Sequence, residues 1–158
     1  MRKMDTQSIL KRVNEFIKKF PLGVLSTLED GKLRSRMFQC VGCDGRKFYF
    51  CTGTHKPVYE QLQKDPKASF CSFRPNYSHV ITVSGPVTFF EDLQMKQDIL
   101  DKNPAIRGIY KKAENEGFAL FYILADDAER FTFAEGTVKA WFTKKKPAIF
   151  LGHKEKWA

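Results

Sequence analysis

No stretch of the 158-residue chain approaches the roughly 20 apolar residues needed to span a bilayer. The first residues, MRKMDTQSILKRVNEF, have basic character but neither a continuous apolar core nor a small-residue cleavage site. They do not read as a secretory leader, and residence in the cytoplasm is expected. Glycine-rich phosphate loops of the G-x-G-x-x-G or Walker type are missing, and strands do not alternate with helices in series, which argues against a Rossmann sheet. Histidine is scarce. His79 and His153 fall in unrelated segments with no companion Ser or Cys, so a hydrolytic nucleophile–base pair is not expected and a bound cofactor would have to supply any demanding chemistry. Acidic residues are outnumbered, 18 against 27 Lys and Arg, leaving a formal charge of +9 that suggests an anionic partner without identifying it. Much of the excess sits near the ends, at Arg2, Lys3, Lys11, Arg12, Lys18 and Lys19 and again from Lys144 to Lys156, where simple solvation is the plainer reading. Four cysteines occur. Cys40 and Cys43 form a C-x-x-C pair, but no second pair of Cys or His follows to complete a zinc site, and the pair ends a strand instead of opening a helix. No metal is expected, and the thiols are expected to be free in a reducing compartment.

What is abundant is phenylalanine, 15 residues, many in short alternating runs that favour strands over a helical bundle. Residues 6–20 carry Ile9, Leu10, Val13, Phe16, Ile17 and Phe20 at helical spacing, with Asp5 or Thr6 as cap and Pro21 as stop. Gly23–Leu28 and residues 32–41 read as strands around a Glu29-Asp30-Gly31 turn, and Lys47–Cys51 as a third strand after Cys43-Asp44-Gly45. A helix over Lys56–Lys64, strands over Ala68–Phe73 and Val80–Phe90, and a bulge at Gly85-Pro86 follow. Helices over Asp92–Asp101 and Ala105–Glu116 precede a hairpin of Phe118–Leu124 with Glu129–Phe133, and then a short strand, Val138–Phe142. Six or seven short strands joined by tight turns predict an antiparallel barrel with flanking helices. One domain over 1–143 and a basic tail over 144–158 are expected.

Two stretches concentrate chemistry. Arg34 and Arg36 share one face of a strand, where two cations repel unless an anion lies near; the alternative is a solvated basic stripe on an edge strand. Cys51-Thr52-Gly53-Thr54-His55-Lys56 runs from a strand into a helix start, where unsatisfied amides, hydroxyls and a Lys favour a phosphate. The alternative is an ordinary helix capped by Thr54 with Lys56 in solvent.

In order and spacing these pieces resemble the pyridoxamine 5′-phosphate oxidase-like family of FMN-binding split β-barrels, over about Gly23 to Gly136. The resemblance is carried by Gly23-Val24-Leu25-Ser26-Thr27, the Asp30-Gly31 turn, Arg36-Met37, Phe48-Tyr49-Phe50-Cys51-Thr52, His55-Lys56, Gln61-Leu62, Asp65-Pro66-Lys67-Ala68, Val83-Ser84-Gly85-Pro86-Val87 and Glu129-Arg130-Phe131-Thr132-Phe133. It implies that Lys56 and His55 hold the FMN phosphate with Thr52 and Thr54 close by, and that Arg36 reaches phosphate or ribityl oxygens. Met37, Phe38 and Gln39 would line the flavin edge, Cys51 would lie beside the ring, and the site would form between two subunits of a homodimer. The chain departs from the enzymes that oxidise pyridoxamine phosphate. Ala134 stands where they carry Trp, and Thr137–Trp141 lacks their Arg-x-His element, which points away from vitamin B6 oxidation and towards short bacterial relatives. An FMN-dependent oxidoreductase of a small molecule, with NADH or NADPH as a possible donor, is the leading expectation. A flavin-binding or sensing module without turnover and a nucleic-acid-binding barrel are the alternatives, and relatives that bind haem or deazaflavin leave the cofactor open.

Overall fold

The computed structural model of the chain describes residues 4–143. Among the described residues, nine strands and four helices form one antiparallel network. Helix α1 (Thr6–Lys19) starts at Asp5, whose carboxylate accepts from the Ser8 amide, and buries Ile9, Val13, Phe16 and Ile17 along one stripe. Strands β1 (Leu22–Glu29) and β2 (Lys32–Gln39) form a hairpin turning at Asp30 and Gly31, both with positive φ. Then come β3 (Gly42–Asp44), β4 (Lys47–Gly53), helix α2 (Pro57–Lys64), β5 (Lys67–Phe73) and β6 (His79–Phe90). Helices α3 (Leu93–Lys102) and α4 (Pro104–Tyr110) precede β7 (Phe118–Leu124), β8 (Asp127–Thr132) and β9 (Gly136–Trp141).

Strand order is β2-β1-β5-β6-β7-β4-β3, and β8 and β9 branch from β6. Strand β6 therefore belongs to two sheets. Its first half pairs with β5 and β8, and Val87–Phe90 pairs with β7. The register with β5 runs unbroken through Lys67↔Pro86, so Gly85-Pro86 is not a bulge. It is the point where β6 leaves β8 for β7. A Cβ at Gly85 would overlap the Leu124 carbonyl, so only glycine lets the second sheet approach there. The expected hairpin of β7 with β8 does not form. Strand β7 pairs with β4 and β6, while β8 pairs with β6 and β9; the chain crosses between sheets where the Ala125 amide bonds to Arg46 and the Asp126 amide to Ser84. Strand count exceeds the expected six or seven: the short β3, read as part of a turn, pairs with β4, and β9 falls on the expected short strand Val138–Phe142 and pairs with β8. Helix α4 stops at Tyr110, six residues short of the expected Glu116. Lys111 adopts φ 71°, and the Asn115 side chain accepts from the Gly117 amide and donates to the Tyr110 carbonyl, ending the helix. The expected basic tail over 144–158 lies outside the described residues.

Phenylalanines build the core between the sheets. Phe50 stacks on Phe121 at 5.3 Å and meets Phe70 edge-on at 5.0 Å, with all three fully buried. Each contributes about 1.5–3 kcal/mol through area removed from water. A second cluster, including Ile99, Leu100, Tyr110, Phe118 and Leu120, fastens α3 and α4 over β7. Asn14 ties α1 to the β3–β4 turn, donating to the carbonyls of Leu10 and Gly45. The Cys40 and Cys43 thiols donate to different carbonyls, those of Gly42 and Asn14, and burial pushes them up to about 12 and about 11. No described helix is long and apolar enough to cross a membrane.

Candidate functional site

Strand β2 ends the strand order, so one of its edges carries backbone N–H and C=O groups with no neighbouring strand among the described residues. At its far end Met37, Phe38 and Gln39 border a cleft of about 170 Å³. Cys51 on β4 and Lys56 at the start of α2 complete one side, and Ile106, Ile109 and Tyr110 of α4 form the other. Alternation along β2 turns Phe38 inward, 6.0 Å from both Phe50 and Phe121, while Met37 is exposed on the opposite face. Gln39 is held by a 3.0 Å bond from Nε2 to Asn103, the residue that joins α3 to α4.

Lys56 is the N-cap residue of α2, with Pro57 in the first turn; its side chain is exposed and forms no ion pair among the described residues. Thr54 therefore does not cap this helix. Its amide bonds to Gly117, and its side chain borders a separate hollow beside Phe118 and Phe90. His55 is exposed next to Gly53, where a Cβ would meet the imidazole and the Tyr110 hydroxyl. Thr52 is buried, and its Oγ1 has no hydrogen-bond partner among the described residues, an unusual state for a hydroxyl. Burial pushes the Cys51 thiol up to about 11 against the opposing pull of Lys56, and pushes the Tyr110 phenol up to about 12 with help from Cys51. Cys51 is thus a neutral, apolar wall and not a thiolate nucleophile.

Arg36 lies on the inner face of β2 and does not line the cleft. Its Nη1 donates to Thr27 Oγ1 at 2.8 Å and to the Leu25 carbonyl at 3.2 Å, and its Nη2 donates to Gln61 Oε1 at 2.7 Å. Thr27 also donates to Gln61 Oε1, and Gln61 Nε2 donates to Glu29 at 3.4 Å. Arg34, on the same face, pairs with Glu29 at 2.8 Å, so Glu29 is the anion that lets two cations stand side by side. Three of the five N–H donors of Arg36 are engaged, and two have no protein acceptor among the described residues. Through Gln61 its guanidinium touches the helix that Lys56 begins.

Five expected residues, Met37, Phe38, Gln39, Cys51 and Lys56, are thus brought round one cleft. Arg36, Thr52 and His55 stand behind or beside it, and Thr54 faces elsewhere. Phe118 is buried beneath α4, and neither Trp141 at the end of β9 nor Phe142 after it lines the cleft. Ile106, Ile109 and Tyr110 were not anticipated as lining residues. Their i, i+3, i+4 spacing marks one helix face but does not say what it covers.

The family model for pyridoxamine 5′-phosphate oxidase matches residues 9–144. The chain belongs to the pyridoxamine 5′-phosphate oxidase family. No curated protein sequence matches it. Similar solved structures include a NimC/NimA family protein from Clostridium acetobutylicum (23% identity, TM-score 0.70, covering 82% of this chain and 92% of that one). A pyridoxamine 5′-phosphate oxidase-related, FMN-binding protein from Nostoc punctiforme is similar at 15% identity with TM-score 0.62, covering 92% and 93%. A heme-binding protein from Mycobacterium smegmatis is similar at 16% identity with TM-score 0.69, covering 89% and 59%. At these identities the likeness shows a shared fold, the antiparallel split barrel, and proteins of one fold need not share a ligand.

Proposed function

We propose that the protein binds FMN in a cleft completed by a second copy of the chain and works as a cytoplasmic FMN-dependent oxidoreductase of a small molecule. The observation that carries this reading is the convergence of Met37–Gln39, Cys51 and Lys56, from three separate elements, on one cleft. The residues fit such a group. An unpaired edge of β2 offers backbone bonds to a planar ring edge. Lys56 offers an unpaired cation, and Thr52 a buried hydroxyl without a partner. Lys56, with His55 beside it, would hold the phosphate, with Arg36 backing them through Gln61; Cys51 and Phe38 would keep the ring dry. When bound, the flavin would supply hydride chemistry that no side chain here provides.

Size and surface support a second copy. The cleft of about 170 Å³ falls below the range of roughly 300–1,000 Å³ typical of sites that enclose a small ligand. The outward side of the sheet of β2, β1, β5, β6 and β8 exposes Leu22, Leu33, Met37 and Phe131, and Phe133 follows just beyond β8. An apolar face of that kind, running up to the cleft at Met37, suits a self-complementary interface.

The test is an absorbance spectrum of the purified protein, sedimentation of the same sample, and anaerobic addition of NADH or NADPH. Flavin bands on a dimer that bleach with a nicotinamide support the enzyme. Flavin bands without bleaching reduce the reading to a binding module. A Soret band, or a monomer that binds no FMN, overturns it. Lys56→Ala is expected to weaken FMN binding at least about tenfold, from a charge-assisted contact worth roughly 1.5–3 kcal/mol.

A further inference from the structure

A second hollow, of about 220 Å³, lies between α1 and the end of the sheet where β5, β6 and β8 meet, and shares no lining residue with the cleft. Its floor is apolar: Phe16 and Phe20 of the α1 end, and Ile81 of β6. Its rim is cationic. Arg12 and Lys19 project from α1, Arg74 from the turn after β5, and Arg130 from the inner face of β8, against the single lining carboxylate of Glu15. The charges are gathered instead of spread. Lys19 Nζ lies 5.8 Å and the Arg74 guanidinium carbon 6.0 Å from the centre of one ring, Phe20. Arg12, Lys19 and Arg74 form no ion pair among the described residues, while Arg130, buried to 4% exposure, bonds Glu135 at 2.7 Å. The His79 ring packs on Phe16 with centroids 4.7 Å apart. Burial first, then Arg74 and Arg130, hold its imidazole below the ordinary value, with Glu135 opposing.

We propose that this hollow is a binding site for a small aromatic carboxylate, its ring on Phe16, Phe20 and Ile81 and its charge among Lys19, Arg74 and Arg130. Like charges drawn to one place repel, and the cost is relieved by a counter-charge between them. A bare inorganic ion would meet that need but leave the apolar floor wet; an aryl body covers it. The site shares no side chain with the flavin cleft, and the proposal stands or falls without FMN.

The experiment follows the imidazole signals of the full chain by NMR during titration with benzoate, with benzyl alcohol and inorganic phosphate as comparison probes. Expected is a saturable shift of the His79 signals by benzoate, a rise in the His79 titration midpoint in the complex, and weaker binding of both comparison probes. Arg74→Ala, an exposed turn substitution, is expected to weaken benzoate about tenfold through loss of a charge-assisted contact, with Lys19→Ala acting in the same direction. Benzyl alcohol binding as well as benzoate, no saturable shift, or unchanged affinity in both variants overturns the proposal.

Discussion

Replacing Gln61 by Ala tests whether the network behind the cleft is a structural clamp on Arg36. Gln61 is buried, and its Oε1 receives two bonds at 2.7 Å, one from Thr27 and one from Arg36. Removing the amide strands the Thr27 hydroxyl, itself 2% exposed, without an acceptor. An unsatisfied buried donor costs about 1–3 kcal/mol. The lost bond from Arg36 would cost as much in a dry site, but this side chain is partly exposed and water can replace the acceptor, so it is discounted to about 1 kcal/mol. The sum is about 2–4 kcal/mol. With a urea slope of about 2 kcal/mol per molar, the unfolding midpoint should fall by about 1–2 M. Arg36, freed from the helix, should also become mobile, and FMN affinity should fall with stability held constant by working well below the midpoint. Gln61→Glu separates the roles. It keeps an acceptor for both donors but adds a negative charge beside Glu29, so it should hold more stability than Gln61→Ala and still weaken an anionic ligand. A midpoint shift under about 0.3 M for Gln61→Ala would refute the clamp.

Cys51 should resist alkylation. With its thiol pushed up to about 11, iodoacetamide at pH 8 should modify it about a hundredfold more slowly than an unperturbed cysteine, as read by peptide mass spectrometry. His79 should make the protein less stable in mild acid. Its folded value lies below the ordinary 6.5, so the unfolded chain takes up the proton first; the stabilisation is complete above about 6.5 and fades as pH falls towards the native value. Comparing urea midpoints at pH 7.5 and 5.5 should show a larger loss for the natural chain than for His79→Gln. Gly85→Ala should destabilise by about 1–3 kcal/mol or more in the same assay, because the new methyl meets backbone at Leu124 and not a side chain that could move.

Local chemistry announced most elements. The stripe Ile9, Val13, Phe16, Ile17 on α1 is a period any neighbour would have to respect, and Asp30-Gly31 supplies the positive φ that the β1–β2 turn demands. Partner choice was not local. Phe118–Leu124 and Asp127–Thr132 follow one another closely, so a hairpin is the economical reading, but β7 is apolar on both faces and is buried between β4 and β6. The early end of α4 rests on Asn115 reaching back to Tyr110 across the positive φ of Lys111, a left-handed turn at a lysine that residue type does not announce. In the site, Met37–Gln39, Cys51 and Lys56 could be named together only because their order resembles a family; nothing in their spacing brings them to one cleft. Thr54 illustrates the converse. Its residue type suits a cap, but Pro57 fixes the first turn and moves the cap to Lys56. Tyr110 was hidden because burial against Phe118, stacked at 4.5 Å, is the ordinary fate of such a residue.

The charge of +9 acquires a different meaning once the pairs are traced. Arg34 is answered by Glu29, Arg46 by Asp126, Lys96 by Glu91, Arg130 by Glu135, and Lys139 by Asp127 and Glu129. These pairs take cations out of the account of the net field near them. Among the described cations that form no ion pair, Lys56 stands at the flavin cleft, and Arg12, Lys19 and Arg74 line the hollow beside α1. A surface that needed charge for solubility alone would gain by separating its cations, since repulsion falls with distance. Gathering two of them, Lys19 and Arg74, around one aromatic ring costs folding energy in the empty protein. That cost is recovered when an anion binds, which is why a ligand should stabilise each place, and why the stabilisation from one should not depend on occupancy of the other.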